Sequence, residues 1–147
     1  METPEIFSWL FVDSFISTLI LPLHFEMALD LMLIFGEYNK PLMLTIAAFG
    51  AVLGSNFNYL FGKILISASN YRNSSETNKL RSGYKKYGQY TNPISLIMLT
   101  TLGFSYFPGS ILQILAGYFP VRYTLFLFSI SLSHLAYYAI FIYKLTS

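Results

Sequence analysis

The sequence has 147 residues, of which 11% are charged and 18% aromatic, with mean hydropathy +0.53 and a net charge of +2. Soluble domains carry about 25% charged residues, so the composition predicts an all-α integral membrane protein built as a single domain of residues 1–147. Cysteine is absent, which excludes disulfide frameworks, thiolate catalysis and cysteine-ligated zinc.

Glu2, Glu5 and Asp13 lie near the N-terminus without a Lys or Arg. That is the wrong sign for a cleaved signal peptide, so the first apolar stretch is expected to stay in the mature protein. Residues 6–36 form one long apolar run, interrupted by Pro22 near its middle and ended by Gly36. It exceeds what one span needs, and proline breaks a helix. The run therefore predicts a first broken, re-entrant helix pair, with a proline-kinked single span as the plainer alternative.

Pro41 opens the stretch PLMLTIAAFGAVLGSNFNYLFGK, which holds no charge between Lys40 and Lys63. Residues 41–66 are predicted as a transmembrane helix, with the two lysines reaching water at its ends. At about 100° per residue, Ala47, Gly50, Ala51, Gly54, Ser55, Asn58 and Gly62 share one broad face. Gly50 and Gly54 have the spacing that lets two helix backbones approach in lipid, and Gly62 extends the same packing face. Phe49, Leu53 and Leu60 turn the other way, toward lipid. This helix is expected to be the scaffold of the fold.

Residues 67–90 are predicted as a polar loop. From Lys63 to Lys86 the basic residues Lys63, Arg72, Lys79, Arg81, Lys85 and Lys86 face a single acid, Glu76. By the positive-inside rule this side is cytoplasmic, and the charge is a topology signal, with no nucleic-acid partner implied. Residues 91–120 are uncharged and broken at Phe107-Pro108-Gly109, which predicts a second re-entrant pair with Pro108 and Gly109 at its tip. Residues 121–144 are a second clean span, with Arg122 on the cytoplasmic side and Lys144 outside. The two halves repeat an order of apolar arm, proline break, second arm and straight span, the pattern of transporters with inverted repeats.

These residues resemble the DedA family of membrane proteins, also called SNARE-associated or VTT-domain proteins, and most closely its short YqaA-like branch. The resemblance is carried by Leu21-Pro22-x-x-x-Glu26, by Gly50-x-x-x-Gly54-Ser55-x-x-Asn58-Tyr59-x-x-Gly62-Lys63, by Lys86-Tyr87-Gly88, by Phe104-Ser105-Tyr106-Phe107-Pro108 and by Ala116-Gly117. It implies two inverted re-entrant hairpins facing each other, long transmembrane helices, and a multi-pass protein of the inner (plasma) membrane. It further implies translocation of lipids or of a lipid carrier such as undecaprenyl phosphate. The sequence departs from the family where Ser55 follows the second glycine, a position often acidic. It departs again where Ser105 and Ile111 stand in a region often carrying arginines.

The residues that carry chemistry in this reading are few. Glu26 is an ionisable group at membrane depth, where such residues mark substrate or ion pathways. Asp30 lies one turn further on the same face, or simply near the water interface. His24 sits beside the Pro22 turn, where it either pairs with Glu26 or is an ordinary satisfied polar residue, as is His134. Asn58 faces a re-entrant arm, Asn56 points roughly 160° away, and Gln113 follows the second break. Each amide either lines the transport path or satisfies backbone freed by the breaks. No nucleophile triad, phosphate loop, metal cluster or cofactor motif is present in the pattern, so no enzymatic activity is expected. The expected partners are membrane lipids, with self-association left open. The competing reading is a membrane protein that does not transport but assembles with or stabilises a partner.

Overall fold

The computed structural model describes residues 4–19, 27–35, 38–72, 109–118 and 121–144. They form five helices and, among the described residues, no strand: α1 Pro4–Thr18, α2 Met27–Phe35, α3 Lys40–Arg72, α4 Gly109–Tyr118 and α5 Tyr123–Lys144. Pro22, His24, Glu26 and Pro108 lie outside the described residues, as does most of the polar segment following α3.

Among the described residues, two helices are long and apolar enough to cross a membrane, over Lys40–Ala68 and Tyr123–Tyr143. The others are short. At ~1.5 Å per residue, the 15 residues of α1, the 9 of α2 and the 10 of α4 reach ~22, ~13 and ~15 Å, against a bilayer core of ~30 Å.

Local chemistry sets the helix ends. Asn39 caps α3: its side-chain oxygen accepts from the Leu42 N–H at 3.3 Å, and its carbonyl accepts the first helical bond, from Met43, at 3.0 Å. Pro41 costs nothing there, because N–H groups of the first turn have no helical partner. No Gly or Pro follows Lys63 before Arg72, so the helix continues past residue 66 and takes up residues 67–72, which the composition alone assigns to the polar loop. At the end of α1, Ser17 and Thr18 hydroxyls both donate to the Ser14 carbonyl, at 3.1 and 2.8 Å. The Leu19 N–H then closes a tight turn on Ile16. Such side-chain bonds compete with the helical ladder and favour its termination.

The helix α3 is the hub, packed against α1, α4 and α5, while α2 packs on α1. The small face, Ala47, Gly50, Ala51, Gly54, Ser55, Asn58 and Gly62, is buried throughout, and Phe49 and Leu60 are exposed on the other side. Gly50 and Gly54 receive α1. A Cβ on Gly50 would stand 2.6 Å from the Phe11 carbonyl oxygen, and one on Gly54 would stand 2.7 Å from that of Phe15. Gly54→Leu should therefore lower the unfolding temperature and the yield of folded protein, by roughly 1–3 kcal/mol of overpacking. Leu60→Met on the exposed side should leave both unchanged. Equal melting curves for the two variants would remove the close contact.

Contact order along the helices gives their directions. Gly50, Gly54 and Asn58 meet Phe11, Phe15 and Thr18 in turn, so α1 runs parallel to α3. Asp13 bonds Ala28 while Phe7 packs edge-on against Tyr38, so the chain folds back after α1. Tyr59 meets Phe126, Ser55 meets His134, and Met43 and Ala47 share a cluster with Tyr138 and Ile142, which makes α5 antiparallel to α3. One apolar cluster joins Leu10, Leu29, Met32, Met43, Ala47 and Ala51 with Tyr138 and Ile142 at the N-terminal end of α3. A second joins Tyr59, Ala116, Phe126 and Ile130 toward its other end.

Candidate functional site

Between the two apolar clusters lies a polar group centred on Asn58. Its side chain is 1% exposed. The amide nitrogen donates to the Thr18 carbonyl at 2.8 Å and to the Gln113 side-chain oxygen at 2.7 Å. Thr18 is the last residue of α1 and Gln113 lies in the first half of α4. One side chain on α3 thus ties together the C-terminal end of one short helix and the early turns of another. A buried amide between two helices is expensive unless bonded, and both of its hydrogens are used. Ser14 and Ser110 are also buried, on α1 and α4.

The placement follows from glycine. Gly62 lies so close to α4 that a Cβ there would collide with the Ile114 carbonyl, and a Cβ on Gly117 would collide with the carbonyl of Tyr59. The two glycines let α3 and α4 touch backbone to backbone. Tyr59 then reaches past α4, its hydroxyl donating to the Val121 carbonyl at 2.9 Å and its ring stacked on Phe126 with centroids 4.5 Å apart. The Lys63 ammonium sits 4.9 Å from the centre of the same ring, an arrangement favoured by the ring's negative face.

Asn56 takes a separate role. Its oxygen accepts from the Tyr123 hydroxyl at 3.0 Å and its nitrogen donates to the Val52 carbonyl at 2.9 Å, so it joins α3 to α5. Ser55, fully buried, contacts Nε2 of His134 at 3.0 Å and the Ala51 carbonyl at 2.9 Å. A hydroxyl has one hydrogen to give. Donation to Ala51 leaves its oxygen to accept, and the Nε2–H tautomer of His134 completes the pair. Ser55→Ala should lower stability by about 1–3 kcal/mol, because the imidazole N–H then stays buried without an acceptor. An unchanged melting temperature would contradict that bond.

Asp30 is exposed on α2, while its neighbours Leu29 and Met32 are buried. Glu26 and His24 lie outside the described residues, so Asn58 and Gln113 are the sequence-predicted site residues that the structure brings together. Among the described residues, no atom lies within 4 Å of where a Cβ on Gly109, at the start of α4, would stand. Among the described residues, no group of three His, Cys, Asp or Glu side chains could hold a metal ion.

Two residues gain roles that sequence reasoning did not assign. Asp13 is more than an interruption of the first apolar run: its carboxylate accepts from the Ala28 N–H at 2.9 Å and caps α2 from another helix. The signal was an acid in the middle of α1, beyond the Glu5 of its first turn, and no Ser, Thr, Asp or Asn directly ahead of Met27. Gly117 is a packing position equal to Gly62.

No family model matches the chain, and no solved structure matches it. A protein of Rickettsia prowazekii (strain Madrid E), described as "Uncharacterized protein RP436", is 34% identical over 145 residues. That alignment covers 97% of this chain and 99% of the rickettsial protein.

Proposed function

We propose a function for this chain, which belongs to the same family as the Rickettsia prowazekii protein. The proposal is a multi-pass inner-membrane protein of the DedA type that moves lipids, or a phosphorylated lipid carrier, between leaflets and is not an enzyme. The observation that carries it is the meeting of α1 and α4 at Asn58. The end of α1 lies beside Asn58, inside the uncharged stretch between Lys40 and Lys63, and α2 leads back toward Tyr38. A helix that stops at that depth and returns supports a re-entrant hairpin. Such broken helices are tolerated in a bilayer only where protein or a hydrated cavity covers their freed backbone.

Several further features favour the membrane setting. Trp9, Ile34, Phe35, Phe49 and Phe128 are all more than half exposed. An outer surface of this kind is costly in water and natural in lipid. Arg122 and Lys63 share the end of the bundle opposite Asn39 and Lys144, which fits a cytoplasmic placement of that end. Broken helices that meet at a buried polar centre are the usual setting of transporter sites.

Glu26, in the segment between α1 and α2, is the proposed functional acid, as in the family that the chain resembles. The test is leaflet exchange of fluorescent phospholipid and of undecaprenyl phosphate in liposomes. Wild-type protein should accelerate exchange. Glu26→Gln keeps size and hydrogen bonding but cannot ionise, so it should insert and fold yet lose exchange or its pH dependence, while Glu2→Gln behaves as wild type. Exchange no faster than in empty liposomes would turn the assignment to a non-transporting protein that stabilises a partner. Wild-type rates and pH profile in Glu26→Gln would remove the acid.

A further inference from the structure

Asn58 has one atom unaccounted for. Its side-chain oxygen is buried and has no hydrogen-bond partner. An amide can be turned over to exchange its oxygen and nitrogen, but that escape is closed here. The Thr18 carbonyl can only accept, so the nitrogen must face it, and the second amide hydrogen goes to Gln113. The oxygen is held in its orphaned position by two bonds made by the other end of the same group. Leaving a buried acceptor empty is unfavourable, and the occupant it calls for is a hydrogen-bond donor or a positive charge.

The surroundings choose between these. The last carbonyls of a helix lack helical partners, and α1 ends at this point, with the Phe15 carbonyl against Gly54 and the Thr18 carbonyl against Asn58. The C-terminal end of a helix carries a partial negative charge. Both described partners of Asn58 meet its amide nitrogen, and neither supplies a donor to its oxygen. Lys63, the nearest described cation along α3, is placed over the Tyr59 ring. Broken-helix ends and unwound carbonyls are the groups that coordinate small cations within membranes. With no carboxylate in the set, the charge suits a monovalent ion and not a divalent one, which demands anionic ligands.

We propose that the Asn58 side-chain oxygen, with the C-terminal carbonyls of α1, forms a binding site for a small monovalent metal cation of the sodium class. This goes beyond lipid translocation and does not need it, because binding is read without transport. The site links the end of α1 to α4 through the residue that joins them, so an ion there would hold the two short helices together.

The test uses the purified full chain in detergent. Its unfolding temperature is followed as sodium, lithium or potassium chloride replaces choline chloride at constant ionic strength. Saturable stabilisation by one or more of the metal ions, absent with choline, is the expected result. Gln113→Glu keeps the acceptor that Asn58 uses and adds a negative charge beside the site, so the half-saturating concentration should fall about tenfold. Identical curves in choline and in every metal salt would show that water alone fills the position and would overturn the site. An unchanged half-saturating concentration in a folded Gln113→Glu would overturn its location. If that variant does not fold, equilibrium dialysis of the wild type with radioactive sodium decides: bound sodium displaced by lithium supports the site, and none bound overturns it.

Discussion

Replacing Gly117 by alanine should cost most of the folded protein. The added carbon would run into the carbonyl oxygen of Tyr59, on the backbone of α3. Neither atom belongs to a flexible side chain, so relief requires the two helices to part. Parting them would also strain the bonds from Asn58 to Gln113 and from Tyr59 to Val121, which depend on the same approach. Overpacking typically costs ~1–3 kcal/mol, and this substitution belongs at or above the top of that range. Total stabilities are only ~5–15 kcal/mol, so a loss of this size lowers both yield and melting temperature. Gly62→Ala should act alike, because its Cβ would meet the Ile114 carbonyl. Gly109→Ala is the internal control, with no atom of the described residues within 4 Å of its Cβ. Size-exclusion profiles and thermal unfolding of the three variants measure the effect. Gly117→Ala melting with Gly109→Ala would contradict the backbone contact.

The second large effect is expected at Asn58. Asn58→Leu keeps the branched shape of the side chain, though not its volume, and withdraws both amide hydrogens at once. The Thr18 carbonyl and the Gln113 oxygen would be left unsatisfied in a buried place, at ~1–3 kcal/mol each. Asn56→Leu loses the exposed bond from Tyr123 and the bond to the Val52 carbonyl within α3; the Tyr123 hydroxyl can turn to water, so the change should cost less than Asn58→Leu. Coupling distinguishes a true node from general intolerance. Gln113→Met removes the acceptor that Asn58→Leu would leave bare, so the double variant should be less destabilised than the sum of the two singles. Strict additivity in thermal or denaturant unfolding would mean that the two side chains do not depend on one another.

The scaffold was legible because close packing of helix backbones leaves a strong signature on one helix. Small residues at helical spacing from Ala47 to Gly62 mark the contact face, and 3.6-residue geometry separates Asn56 from Asn58 without knowledge of the partners. The partners themselves were not legible. Nothing along the chain says that Asn58 meets Thr18, 40 positions away, or Gln113, 55 positions away. Those pairings come from how α1 and α4 settle against α3. Asp13 reads as a flaw in an apolar run because its partner, the start of α2, lies across a fold in the chain. Gly117 stands out only within a motif, since a glycine in a ten-residue helix does not reveal which neighbour approaches it. The C-terminal end of α3 falls later than composition suggests, because polar residues imply a loop where no helix breaker stands.

In a re-entrant pair, α1 and α2 enter and leave on one side of the membrane, and topology tests this directly. The chain lacks cysteine, so single cysteines at Glu5, Asn39, Lys144 and Arg122 can be labelled without background. A membrane-impermeant maleimide applied to oriented cells or vesicles then reports the face of each. Glu5, Asn39 and Lys144 should react from the same, non-cytoplasmic face, and Arg122 from the cytoplasmic face alone. Labelling of Glu5 and Asn39 from opposite faces would make residues 6–36 an ordinary crossing and would contradict the re-entrant architecture.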